Sequence, residues 1–146
     1  MGLEIAIAQK KDEQEWRRLW KAYLEFYETT RETSVYDASW ARILDPHSKM
    51  FSLLAHLDGQ TIGLSNFLYH DSFWEEEPRC YLNDLFVDPA VRGSGAGAAL
   101  IEATHAHCVQ NGGAQLYWTT AQDNHIARGL YDKLANLTPF IKYNMT

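Results

Sequence analysis

Cysteine is scarce in this chain, two residues of 146, and Cys80 and Cys108 stand too far apart for a CxxC pair. That spacing indicates neither a zinc site nor a disulfide framework, and both thiols read as buried, unreactive core residues. Long apolar runs are also missing: none approaches the roughly 20 residues needed to cross a bilayer. The short stretch LEIAIA near the start has no basic flank and runs straight into charges, so it does not read as a secretory leader. Gly2 invites N-myristoylation, but Ala6 stands where that signal needs Ser or Thr. Positive charge is in deficit, with 13 Lys and Arg against 19 Asp and Glu and a net charge of −6. A nucleic-acid partner normally demands a basic face, whereas an acidic balance favours a small cationic one. The six histidines are scattered; His105 and His107, two apart on one helix, face different ways and form no metal pair. The expectation is a cytoplasmic protein with no metal, no nucleic-acid partner and no membrane partner.

What is present is a core. Apolar residues make up 46% of the chain, with five tryptophans and eight tyrosines, and no linker or repeat divides it. This is the size and composition of one domain over residues 1–146. Alternation predicts strands at Leu3–Ala8 and Phe51–Leu57, and at Thr61–His70 and Cys80–Asp88; Ala114–Ala121 and a closing Phe140–Met145 read the same way. Asp58-Gly59 between the second and third is a hairpin turn. Apolar residues at spacings of three and four predict helices over Asp12–Tyr27, Tyr36–Leu44, Gly95–Gln110 and Asn124–Ala135. A hairpin followed by strand–helix–strand units gives an α/β domain with a mixed sheet.

The stretch VRGSGAGAAL, Val91 to Leu100, can be read three ways. Gly93-x-Gly95-x-x-Ala98 fits a dinucleotide fingerprint, but Asp88–Arg92 intervenes between strand and turn, and too little chain follows for a nucleotide domain. The glycines could instead serve only close packing of a helix on a strand. The third reading uses the order of the parts. A strand, a turn, an arginine and spaced glycines lead into a helix whose first amides point forward unpaired, and amides plus helix dipole form a phosphate site. Arg92 would add bidentate contacts to phosphate oxygens.

Arg92-x-x-Gly95-x-Gly97 resembles the R/Q-x-x-G-x-G/A signature of the GNAT superfamily of acetyl-CoA-dependent N-acetyltransferases. The preceding strand YLNDLFVDP and the downstream segment NHIARGLYDKLA resemble it too. The run from Leu116-Tyr117-Trp118 to Asn124 and Tyr131 is similar to the branch related to yeast histone and polyamine acetyltransferases. The resemblance extends from about Thr61 to the C-terminus. It implies a GNAT-like single domain, with a mixed, mostly antiparallel central sheet flanked by about four helices. It also implies acetyl-CoA as cosubstrate without a metal, a small-molecule amine as partner, and a homodimer as the assembly to test.

Residue by residue, the resemblance assigns the coenzyme A pyrophosphate to the segment Arg92, Gly93, Ser94, Gly95, Ala96, Gly97 and Ala98. The backbone around Phe86 and Val87 would pair with the pantetheine arm, and Asn124 would contact the same arm while also suiting a helix N-cap. Tyr131 matches the tyrosine that faces the thioester sulfur. A departing thiolate, of pKa about 8.5 as a thiol, needs a proton, and a phenol of pKa about 10 can supply it. An alkylamine of pKa about 10.4 must also lose a proton, at a cost of about 4.6 kcal/mol at neutral pH. Many relatives place a glutamate where this chain has Asn83, which cannot act as a base. Asp84 is the candidate beside it, although strand alternation points it to the other face. Glu75-Glu76-Glu77 would attract a cation or simply be solvated; Tyr27, Tyr36, Trp40, Tyr69 and Trp118 would line an acceptor pocket or the core.

Three functions remain at this stage: acetyl transfer to a small cationic amine, polyamine or lysine-like group; a non-catalytic acyl-CoA-binding module, kept open by Asn83; and acetylation of a protein N-terminus or tail.

Overall fold

The computed structural model describes residues 2–146. The elements run β1 (Leu3–Ile7), α1 (Glu13–Phe26), α2 (Thr33–Leu44), β2 (Met50–Leu57), β3 (Gln60–His70), β4 (Arg79–Val87), α3 (Ala96–Gln110), β5 (Leu116–Tyr117) and α4 (His125–Leu134). The strands form one sheet in the order β1-β2-β3-β4-β5, antiparallel at every pairing except the parallel β4–β5. The mixed, mostly antiparallel sheet with four helices matches expectation.

Each helix forms where an apolar stripe meets the sheet. In α1, Trp16, Leu19, Trp20 and Leu24 recur at helical spacing and are buried. Trp16 stacks on Trp20 at 5.7 Å and meets Trp40 of α2 at 5.4 Å. This face covers Leu54, Leu64 and Phe86 of the sheet, each full burial of such an apolar side chain stabilising by roughly 1.5–3 kcal/mol. On the opposite face, α3 sets Leu100 and Cys108 against Ala55, Phe67 and Cys80. The β2–β3 turn uses Asp58 at φ 50° and Gly59 at φ 85°, the left-handed pair whose twist suits a two-residue hairpin.

Two departures matter for the site. Opposite β3, Asn66 faces Asp84 while Phe67 faces Leu82, so Asn83 is an extra residue in β4. Such a bulge bends its strand and shifts the alternation by one. The strand expected over Ala114–Ala121 shrinks to Leu116–Tyr117, which pairs only with Cys80 and Tyr81. Beyond Tyr81, β4 has no pairing to β5, and the edge from Leu82 to Val87 has no strand partner on that side among the described residues.

The expected strand Phe140–Met145 is not formed. Leu137, Phe140, Ile141, Tyr143 and Met145 are 76–99% exposed, and 135–146 carry no strand. An alternating sequence becomes a strand only when an edge pairs with it, and among the described residues the tail pairs with none.

Candidate active site

The glycine stretch forms a tight turn leading into a helix. A single 3-10 turn, Pro89–Val91, is capped by the Asp88 side chain, which accepts from Ala90 N. Gly95 then serves as N-cap of α3 at φ 84°, with Gly93 at φ 86°. A β-carbon is disfavoured in that left-handed region, which explains glycine at both positions. The first amide of this end to find a backbone acceptor is Ala99, which donates to Gly95 O at 3.0 Å. The amides of Gly93, Gly95, Ala96, Gly97 and Ala98 have no backbone acceptor among the described residues. Unpaired amides at the positive end of a fifteen-residue helix suit an anion. Arg92 is exposed beside them and makes no ion pair among the described residues. Gly97 lies against α4: a β-carbon there would meet Leu130 at 3.3 Å. Gly97 thus packs closely on α4 while its amide, like those of its neighbours, stays without a backbone acceptor, so the packing and phosphate-binding readings of the glycines are compatible.

The open edge of β4 ends at Phe86 and Val87, immediately before this loop. Asn124 caps α4, its side-chain oxygen accepting from Ala127 N at 3.4 Å. Tyr131, one face of α4, is partly buried and meets Trp118 edge-on at 5.4 Å. Burial, and secondarily Tyr27, pushes its phenol up to about 12. Tyr131 thus stands near Trp118, just past β5, and Tyr27, just past α1.

On the α1 side of the sheet, Asn83 and Asp84 line one cavity of about 120 Å³ with Trp16, Trp20 and Asn66. Alternation would have separated them; the bulge brings both to the same side. Asp84 is only 8% exposed. Its Oδ2 accepts from the Trp20 indole and the Asn66 amide, both at 3.1 Å, and its Oδ1 from the Asn83 amide at 2.7 Å. The Tyr23 phenol lies close by, its pKa raised by burial first and by Asp84 second; Tyr27 is raised by the same two causes. Sequence reasoning missed Tyr23, Trp20 and Asn66. Trp20 lies 64 residues from Asp84, and no local pattern announces such a partner.

The other residues singled out divide between site and core. Trp40 and Tyr69 are buried, Tyr69 bonding His107 at 2.6 Å beneath α3, and Tyr36 packs edge-on against Trp20. Glu75 is held at 3.0 and 2.7 Å by Arg79, whose guanidinium lies over Trp74, so its charge is already compensated. Among the described residues no group of His, Cys, Asp or Glu could hold a metal ion, and no helix is long and apolar enough to cross a membrane.

The chain matches the model of the acetyltransferase (GNAT) family over residues 16–135. It is 36% identical over 141 residues to the D-amino-acid N-acetyltransferase HPA3 of Saccharomyces cerevisiae, covering 95% of this chain and 88% of that one. It is 33% identical over 132 residues to the uncharacterized N-acetyltransferase YhfO of Bacillus subtilis, covering 90% and 87%. Its fold is that of AAC(6′)-Iy bound to a bisubstrate analogue (TM-score 0.88, 21% identity, 100% and 99% covered). The ribosomal-protein-alanine N-acetyltransferase of Brucella melitensis shares it as well (TM-score 0.83, 19% identity, 100% and 99% covered).

Proposed function

The chain belongs to the GNAT family of acetyl-CoA-dependent N-acetyltransferases, and from that premise we propose that it acetylates the primary amine of a small cationic molecule by direct attack in a ternary complex. One arrangement carries the proposal: the unpaired edge of β4, Leu82–Val87, runs into the unpaired amides of Gly93–Ala98. An extended, polar arm ending in phosphates fits that sequence of sites. Phe86 and Val87 would pair with the arm, Asn124 would contact it, and Arg92, Gly93, Ser94, Gly95, Ala96, Gly97 and Ala98 would hold the phosphates. Acetyl-CoA supplies an activated acyl group and a leaving thiolate.

Tyr131 is the general acid in this scheme. Its raised pKa keeps the phenol protonated through the working range, ready to donate to sulfur as the C–S bond breaks. Asp84 supplies the negative charge of the acceptor side, and the net charge of −6 supports a cationic acceptor. A protonated amine forms one C–N bond and leaves one proton in water per turnover. The name of the yeast relative suggests an amino acid as acceptor instead; such a substrate also presents a primary amine, so the same chemistry serves it. Two free thiols, 0% and 1% exposed, suit a reducing compartment such as the cytoplasm. The exposed apolar tail supports a homodimer.

The test is thiol release from acetyl-CoA across a panel of diamines, polyamines, amino acids and neutral amines. Cationic amines should turn over best, with KM rising as ionic strength screens the attraction. A protein that binds coenzyme A yet acetylates no member of the panel would be a binding module, and the proposal would fall.

A further inference from the structure

The buried Asp84 carboxyl group is enclosed by neutral donors. The Lys and Arg ion pairs of the described residues go to Glu13, Asp37, Glu15, Asp88, Asp71 and Glu75, none to Asp84. Both of its oxygens already accept hydrogen bonds from within the protein. Among the described residues it is the only titratable side chain lining the 120 Å³ cavity; Tyr23 and Tyr27, on which it acts from outside that lining, keep their protons because burial first and Asp84 second raise them.

An ionised carboxylate only accepts, so it dictates how a neighbouring amide is turned. Asn66 directs its NH₂ to Asp84, and its carbonyl oxygen accepts from the Trp16 indole at 3.0 Å. Asn83 likewise directs its NH₂ to Asp84, but nothing among the described residues donates to its carbonyl oxygen. That oxygen belongs to an exposed side chain on the cavity. The bulge therefore presents one free acceptor, held in orientation by the hydrogen bond of its amide to the buried Asp84 carboxyl. An ammonium or amine is the complementary ligand.

We propose that Asn83 Oδ1 receives the acceptor's amine by hydrogen bond, and that Asp84 is a positioning residue acting through Asn83 and does not take the amine's proton. The inference rests on the acetyl-transfer reading. The amine then loses its proton to water before attack, so kcat/KM for the amine should climb with pH towards the amine's own pKa, about 10.4 for an alkylamine.

The experiment uses the full chain with 1,4-diaminobutane and acetyl-CoA. Asn83→Leu should lower kcat/KM for the amine about 10- to 100-fold, the range of a hydrogen bond to a charged group, with KM for acetyl-CoA unchanged. Asn83→Glu should restore turnover and move the rising limb of the pH profile to lower pH, because it adds a base. Asp84→Asn releases the amide orientation and should lower kcat/KM without moving the limb. Two results would overturn the proposal: an Asn83→Leu variant with wild-type kcat/KM, or a limb below pH 7 in the wild type that Asp84→Asn abolishes. If wild type acetylates no amine, the function reading fails separately. Calorimetry of 1,4-diaminobutane with the coenzyme A complex then decides: weaker binding by Asn83→Leu upholds the Asn83 role, and equal or absent binding in the wild type refutes it.

Discussion

Tyr131→Phe isolates the hydroxyl from the ring. The ring's edge contact with Trp118 at 5.4 Å survives the change, so the fold and the open edge of β4 should be unaffected. What is lost is a phenol that burial holds at about 12. An ordinary thiol titrates near 8.5. Complete proton transfer from Tyr131 to a thiolate would therefore run uphill by about 3.5 units, or about 4.8 kcal/mol at 1.36 per unit. A full transfer ahead of C–S cleavage is thus disfavoured; the proposed role of the hydroxyl is a hydrogen bond that strengthens as charge develops on sulfur. General acid catalysis is typically worth 10²- to 10⁴-fold, and this mismatch places the expected loss in kcat near the lower end, about 10²-fold. KM for acetyl-CoA should barely move. The sign of the pH effect also follows. A general acid is active while protonated, and raising its pKa extends that range upward, so kcat/KM should show no falling limb from Tyr131 below about pH 11. Stopped-flow acyl transfer at saturating amine, from pH 6 to 11, tests both points. An unchanged rate of the chemical step in Tyr131→Phe would refute the assignment. So would a falling limb near pH 8–9 in the wild type that the variant lacks.

Gly95→Ala tests the phosphate loop: no atom lies within 4 Å of the added β-carbon, so the variant carries only the strain of φ 84°, about 1–2 kcal/mol. It should stay folded but bind coenzyme A at least tenfold more weakly by calorimetry, whereas wild-type affinity would remove these amides from the site. Truncation after Ala135 removes the exposed apolar tail and should convert a dimer to a monomer in sedimentation; a full-length monomer at micromolar concentration would end the dimer proposal.

Most of the fold was legible because its signals are periodic and local. The stripe Trp16, Leu19, Trp20, Leu24 locates α1 to within a residue, and Asp58-Gly59 places the β2–β3 turn with the positive φ values that it requires. The loop from Arg92 to Gly97 was legible for the same reason: residue order alone sets spaced glycines ahead of a helix end. The tail failed because its alternation states what it could pair with, not whether an edge is within reach. Ala114–Ala121 failed because β4, not β5, decides where that pairing stops.

The bulge at Asn83 is where local reasoning had least to offer, and it shapes the proposed acceptor site. Strand alternation assigns neighbours to opposite faces only while the register holds. One extra residue in β4 shifts that register, and no residue type marks it: Asn83 could equally sit in a regular strand. It becomes visible only across the sheet, where Asn66 meets Asp84 and Phe67 meets Leu82, and across the layer, where Trp20 of α1 reaches Asp84. The same insertion turns Asn83 and Asp84 into one cavity, and it stands where the pairing to β5 has ended and the Leu82–Val87 edge is open. The side chain proposed for the acceptor and the edge proposed for the donor arm thus meet at a single irregularity. A deletion of Asn83 would restore the regular alternation with Asp84 still opposite Asn66, remove the amide proposed to receive the acceptor, and let β4–β5 pairing extend over the open edge. Acceptor and donor binding should then fail together, whereas a substitution at the same position should touch the acceptor alone.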